Sequence, residues 1–134
     1  MIHLTPEQRV FVTERHLATL STLRANGTVH VVPVAFTWDH ERGVARVTTN
    51  RSSVKARNAR GHGDTPARGS ICQVEGGRWI TLEGELRVLD DGESVRDAER
   101  RYAVRYRELE ENPERIVLEL AVDRVMSSAY MSRG

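Results

Sequence analysis

From Trp79 to Leu89 the chain alternates without a fault. Ile80, Leu82, Gly84, Leu86 and Val88 share one parity, and Thr81, Glu83, Glu85 and Arg87 share the other. Such a period-two run is a β-strand with one face in a core and one face outside it. A strand this long needs partners, and the sequence offers them. His16 to Leu23, Val29 to Trp38, Val44 to Thr49, Ser70 to Val74 and Arg115 to Asp123 are rich in Val, Ile, Leu and Thr. Turn signals separate them: Asn26-Gly27, Asp39 to Gly43, and Glu75-Gly76-Gly77-Arg78. Within Val29 to Trp38 the core parity is His30, Val32, Val34, Phe36 and Trp38, with Pro33 among the residues between them. Proline cannot donate to a ladder, so Pro33 marks either a plain edge or a backbone kept open toward a ligand.

Helical signals flank and interrupt these strands. Thr5-Pro6-Glu7-Gln8 reads as a capping box with proline in the first turn, opening a helix to about Arg15 that buries Val10 and Phe11. Asp90-Asp91-Gly92-Glu93 opens a second helix, from about Glu93 to Arg107. Its apolar stripe is Val95, Ala98, Tyr102 and Tyr106, and Asp97 and Arg101 form an i,i+4 pair. The tail from Val125 to Gly134 extends the last strand before fraying. The expectation is one domain over residues 1–134, mainly β with flanking helices, built as a six-stranded antiparallel barrel, closed or partly open.

A third, short helix carries the chemistry. The strand ending in Thr48-Thr49 breaks at Asn50, and Arg51-Ser52-Ser53 leads into a helix from about Val54 to Arg60. Hydroxyls at a strand end, a serine cap, and the free N–H groups of a first helical turn together suit an anion. Lys55 and Arg57 add full charges. Lys55 is the only lysine in the chain, beside nineteen arginines, and a compact ammonium meets a phosphate as a point charge. The same residues also fit a solvated basic helix, and the spacing does not choose between the two.

Other chemistries find little support. Net charge is +1, so there is no bulk attraction to nucleic acid or a membrane surface. The five histidines lack metal-ligand spacing, and no glycine-rich nucleotide loop is present. The single cysteine, Cys72, lies in an apolar strand pattern and reads as a small core residue. It excludes an internal disulfide and fits a reducing cytoplasm. No apolar run approaches 18 residues, so a soluble, cytoplasmic protein is expected. No Ser-His-Asp or paired-carboxylate constellation stands out, and no dedicated catalytic residue is assigned. Glu83 and Glu85 read as a solvated strand face, and His30 and Trp38 as core.

The order of elements and the Thr48-Thr49-x-x-Ser52-Ser53-x-Lys55-x-Arg57-Asn58 run resemble the split β-barrel flavin and deazaflavin proteins, the superfamily of pyridoxamine 5'-phosphate oxidase. Three further segments are similar to the biliverdin-reducing branch of the actinobacterial reductases that use coenzyme F420. They are Glu14 to Leu20, Cys72 to Trp79, and Val95 to Tyr102. The loop from Gly61 to Gly69 departs from the shorter form of that group.

The resemblance implies that Ser53, Lys55 and Asn58 hold a cofactor phosphate, with Thr48 and Thr49 beside it. It implies that the Pro33–Val34 backbone borders the cofactor ring, and that Arg78 and Trp79 reach the cofactor from a partner subunit. Arg57, by charge and spacing, can meet the phosphate or an acidic tail. The implied activity is hydride transfer from F420H2 to a conjugated acceptor such as a biliverdin-like tetrapyrrole, in a homodimer with the cofactor at its interface. An FMN-dependent oxidoreductase and a non-catalytic flavin or deazaflavin carrier are the alternatives. Arg51 and Arg60, with Arg57, favour the longer acidic ligand over FMN. Trp79 can also be read as a core aromatic.

Overall fold

The computed structural model describes residues 2–132; the last two residues of the tail expected to extend the final strand lie outside them. The elements in chain order are α1 (Pro6–Phe11), β1 (Ala18–Leu23), β2 (Val29–Val34), β3 (Phe36–Asp39), β4 (Val44–Asn50), α2 (Val54–Ala59), β5 (Ala67–Glu75), β6 (Arg78–Leu89), α3 (Gly92–Arg105), β7 (Arg115–Ser127) and α4 (Ala129–Ser132). The strands form one antiparallel sheet in the order β2-β1-β5-β6-β7-β4-β3.

The sheet has seven strands where six were expected, because the Val29–Trp38 run divides at Ala35. Val34 ends on one edge of the sheet and Phe36 begins on the other. A single residue spans only about 3.3–3.6 Å per step of extended chain, so the two edges must come together at this point. The sheet is therefore curled into a barrel that is split: its edge strands are joined by the chain but not by a ladder. Pro33 sits on the edge strand, as its missing N–H requires.

The inward parity of every strand fills the barrel. Leu20, Phe36, Ala45, Ile71, Ile80, Leu82, Ile116, Leu118 and Leu120 are all at most 1% exposed. Each fully buried Leu, Ile or Phe contributes about 1.5–3 kcal/mol relative to exposure. Cys72 is not among them: it is half-buried on the outer parity, and Gln73 takes the interior position beside it.

α1 ends four residues earlier than expected. Its capping box forms, with the Gln8 N–H donating to Thr5 Oγ1 at 3.2 Å and the Thr5 N–H to Gln8 Oε1 at 2.9 Å. Phe11 is buried but Val10 is exposed. β5 begins at Ala67, so three residues of the expected Gly61–Gly69 loop belong to the sheet. β7 runs on to Ser127, and α4 then turns Met131 back into the core.

α3 lies outside the barrel against β3, β4 and β7, and what separates it from the sheet is ionic. Arg46, buried on β4, donates to Asp39 at 3.0 Å and to Glu119 at 3.2 Å. Glu119 also accepts from Arg87, and Arg101 of α3 reaches Asp39 at 3.4 Å. Burial pushes the Asp39 carboxyl up. The Arg46 hydrogen bond, the Arg42 N–H and the nearby Arg101 and Arg46 charges outweigh it and hold the group below its ordinary value.

Candidate functional site

α2 plugs one end of the barrel, packing on β1, β5 and β6. Its cap is Ser53, whose Oγ accepts from the Ala56 N–H at 3.2 Å and from Thr49 Oγ1 at 3.0 Å. The Ser53 hydroxyl proton remains free to donate outward. Ala56 and Ala59 face the barrel and are buried. Lys55 is half-buried, and that burial alone pulls its ammonium below the ordinary value. Arg57 is exposed. Among the described residues neither cation has a carboxylate within 4 Å. A partly desolvated cation without a counter-charge is stabilised by an anion brought to it.

The structure sorts the remaining candidates. Thr48 and Thr49 point to opposite faces of β4, since Thr49 shares the inward parity of Ala45 and Val47. Only Thr49 joins the Ser53 cluster. Asn58 is buried rather than presented to a ligand, and its Nδ2 donates to Thr22 Oγ1 at 2.9 Å. Of the three arginines around this helix, two are engaged: Arg51 pairs with Glu114 at 2.9 Å, and Arg60 donates to the Arg51 carbonyl at 3.0 Å. Arg60 and Arg57 both lack a carboxylate partner among the described residues, and of the two only Arg57 has a guanidinium without a recorded hydrogen bond.

Pro33, Val34, Arg78 and Trp79 lie at the other end of the barrel. Thr22, which holds Asn58, pairs with Gly69; Trp79 pairs with Val74, five residues farther along the same strand. At about 3.3 Å per residue the two ends are roughly 16 Å apart. Within one chain, Arg78 and Trp79 do not meet Lys55. Arg78 has local partners instead. Glu14 accepts from it at 3.1 Å and Glu75 at 3.0 Å, its guanidinium carbon lies 4.8 Å from the Phe11 ring centroid, and these hydrogen bonds raise its pKa. Trp79 is 37% exposed, so it is not a core aromatic.

The outer side of β2, β1, β5 and β6 is mixed: Thr81, Glu83, Glu85 and Arg87 are its β6 residues beyond Trp79, and apolar side chains gather at the Trp79 end, with Val31 farther along on β2. Leu17, Val31, Val74 and Trp79 are all exposed there, with Leu17 at 81%. An exposed patch of this kind marks a contact surface.

Sequence reading missed two residues that shape these ends. Thr22 carried no signal beyond an ordinary place in a strand. Arg105, on the last turn of α3, is largely buried and donates to the carbonyls of Phe36 and Glu14 and to Gln73 Oε1. Among the described residues no cluster of His, Cys, Asp and Glu is placed to hold a metal, and no helix is long and apolar enough to cross a membrane.

Residues 4–128 match the family model of pyridoxamine 5'-phosphate oxidase, and the chain belongs to that family. It is 47% identical over 126 residues to the F420H(2)-dependent biliverdin reductase of Mycobacterium tuberculosis, covering 94% of this chain and 89% of that one. Among solved structures it superposes on a conserved hypothetical protein of the same organism with a TM-score of 0.75 at 20% identity, covering 93% and 84% of the two chains. It superposes on an F420 reductase with a TM-score of 0.69 at 18% identity, covering 88% and 94%. These two likenesses confirm the fold.

Proposed function

We propose that this member of the pyridoxamine 5'-phosphate oxidase family is an F420-dependent reductase whose acceptor is a biliverdin-like tetrapyrrole. The observation that carries the phosphate-bearing cofactor is the uncompensated pair Lys55 and Arg57 beside the Ser53 hydroxyl. That donor set fits an ester phosphate: one ammonium drawn below its usual value by burial, one free guanidinium and one outward O–H. The high identity to a relative named for F420H(2) and biliverdin favours the deazaflavin and the tetrapyrrole over other choices.

Reduced F420, when bound, supplies the hydride. The chain's own residues bind and orient. Lys55, Arg57 and Ser53 hold the phosphate, and Thr49 fixes the Ser53 hydroxyl for that purpose. The Pro33–Val34 edge, unable to complete a ladder at Pro33, borders the ring. No residue of the α2 end is assigned the accompanying proton, and Arg78, held protonated by Glu14 and Glu75, keeps its own; a solvent proton serves.

The active unit in this reading is a homodimer formed through the outer face of β2, β1, β5 and β6, where Leu17, Val31, Val74 and Trp79 are exposed. A second copy laid on that face with its strands reversed brings its Arg78–Trp79 end to the α2 end of the first. The 16 Å separation within one chain is thereby bridged. Sedimentation of the free protein should give a particle of two 15.2 kDa chains. A monomer that still binds cofactor tightly removes the interface from the site.

Titration with F420 and with FMN, followed by biliverdin turnover with the reduced form of whichever binds, tests the function. Tight F420 binding, weaker FMN binding and loss of biliverdin absorbance are expected. Tight FMN binding with none for F420 makes the chain a flavin enzyme, and tight binding without turnover makes it a carrier. Lys55→Ala should raise the F420 dissociation constant by about 10–150-fold, the equivalent of the 1.5–3 kcal/mol of a charged hydrogen bond, with little change in thermal midpoint. An unchanged constant takes Lys55 out of the site.

A further inference from the structure

α2 is weakly held by apolar contact. Its buried apolar side chains are Ala56 and Ala59, which offer little area. Its remaining buried side chain is Asn58, an amide, at 4% exposure. A buried amide must find partners, and it finds Thr22 of β1, itself 2% exposed, across a 2.9 Å hydrogen bond. Thr22 is 36 residues away in sequence and belongs to none of the motifs around the site. Lys55 lies three residues before Asn58 on the same helix. Side chains at i and i+3 are neighbours on a helix surface, so a rotation that moves one moves the other.

We propose that Thr22 is a positioning residue for the phosphate end of the site: through Asn58 it fixes the rotation of α2 on the barrel and so the placement of Lys55 and Arg57. The inference rests on the phosphate site proposed above and deepens it. Besides the local Arg60 bond to the Arg51 carbonyl, side chains tie the helix to strands of the barrel at two points. At its start Ser53 is bonded to Thr49, the strand end it follows. At its end Asn58 is bonded to Thr22. With the first tie alone, a helix of six residues can swing about its cap. The second tie crosses from α2 to β1, which lies next to one edge strand of the sheet while β4 lies next to the other. Losing the Thr22 oxygen leaves Asn58 Nδ2 without its acceptor in a buried place. The helix then shifts until water reaches that amide, and the two cations shift with it.

The test compares Thr22→Val, which keeps the shape and removes the oxygen, with Thr22→Ser, which keeps the oxygen. Binding is measured with F420 and with its phosphate-free deazaflavin nucleoside, or with FMN and riboflavin if the wild-type chain prefers FMN. Thr22→Val should weaken the phosphate-bearing ligand about tenfold and the phosphate-free one less than about twofold. Thr22→Ser should restore most of the loss. In the protein without ligand, amide hydrogen exchange of Ala59 and Arg60 should speed up in Thr22→Val and not in Thr22→Ser.

Equal weakening of both ligands, or an exchange change with unaltered phosphate-ligand affinity, makes the tie merely structural and overturns the proposal. So does an unaltered Thr22→Val variant. If the valine variant does not fold, Thr22→Ala and Asn58→Leu, which remove the acceptor and the donor of the tie without adding charge, carry the same comparison. A wild-type chain that binds neither phosphate-bearing cofactor overturns the site itself and this role with it. Binding intact in the wild type but indifferent to Thr22 overturns only this role.

Discussion

Gly84→Ala should destabilise the protein by at least about 4 kcal/mol, a size of effect that single substitutions reach only through a specific clash or cavity. Gly84 lies in the middle of β6, where β7 is out of register: Glu83 pairs with Arg124 and Gly84 with Val122, so Asp123 has no partner of its own. The bulge brings the two backbones together. A Cβ on Gly84 would sit 1.9 Å from the Ala121 carbonyl oxygen, 2.7 Å from its carbon and 3.0 Å from the Val122 Cα. All three are backbone atoms in the longest strand pairing of the sheet, so none can swing aside. Gly69, which pairs with Gly84 across β5, is the comparison. There a Cβ would meet chiefly the end of the Leu86 side chain, at 2.5 Å, with the Ser21 carbonyl at 3.0 Å. Leu86 can change rotamer, and Gly69→Ala should cost roughly 1–3 kcal/mol. Chemical denaturation followed by circular dichroism measures both. A Gly84→Ala midpoint corresponding to less than about 1 kcal/mol of loss would show that the bulge can reopen, and the account of a backbone approach that only glycine allows would fail.

The bulge also shows what alternation can and cannot tell. Gly84 was legible as an inward residue of a long strand, because period two holds from Ile80 to Val88 whatever the partner does. That its hydrogen of a side chain is needed for a backbone approach was not legible, since the approaching strand is nearly 40 residues later. Ala35 is a similar case. The inward parity His30, Val32, Val34, Phe36, Trp38 runs straight through it, so the sequence reads as one strand. What divides the run is its partners, β1 before and β4 after, and partner choice is a long-range property.

At the α2 end the local signals did better. The serine cap, the short helix and the lone lysine stand where the motif places them, since capping is decided within four residues. The motif, read as a list of contacts, does not show which of its residues share a face. Thr48 and Thr49 are adjacent in a strand, and adjacency alone puts them on opposite faces. Asn58 is three positions from Lys55, yet it turns inward because Thr22 waits for it there.

Arg105 is the other residue whose loss should be large. It is a mostly buried arginine whose pKa is lowered by burial, with Tyr106 acting the other way, and among the described residues no carboxylate pairs with it. Its charge is spread over oxygens instead: the carbonyls of Phe36 and Glu14, and Gln73 Oε1 at 2.7 Å. The guanidinium carbon lies 4.6 Å from the Phe36 ring centroid and 5.0 Å from that of Tyr106, whose hydroxyl donates to the same Phe36 carbonyl at 2.7 Å. These contacts meet beside Ala35, where the two sheet edges are joined. Arg105 thus ties α3, the seam of the barrel, the segment after α1 and β5 into one point. Met keeps the stem and removes every donor. Arg105→Met should then cost about 3–5 kcal/mol, because buried acceptors are left without partners. At this chain length that lowers the thermal midpoint by roughly 10–20 °C. Arg105→Lys should recover only part of the loss, since one ammonium cannot reproduce a planar fork aimed at three oxygens. The consequences should extend to the cofactor. Glu14, whose carbonyl Arg105 holds, is also the carboxylate that pairs with Arg78, and the Pro33–Val34 edge leads directly into the seam. F420 affinity should fall in Arg105→Met even at temperatures where the variant is fully folded. A midpoint within about 3 °C of the wild type would mean the seam closes without Arg105, and the tie between α3 and the site would have to be abandoned.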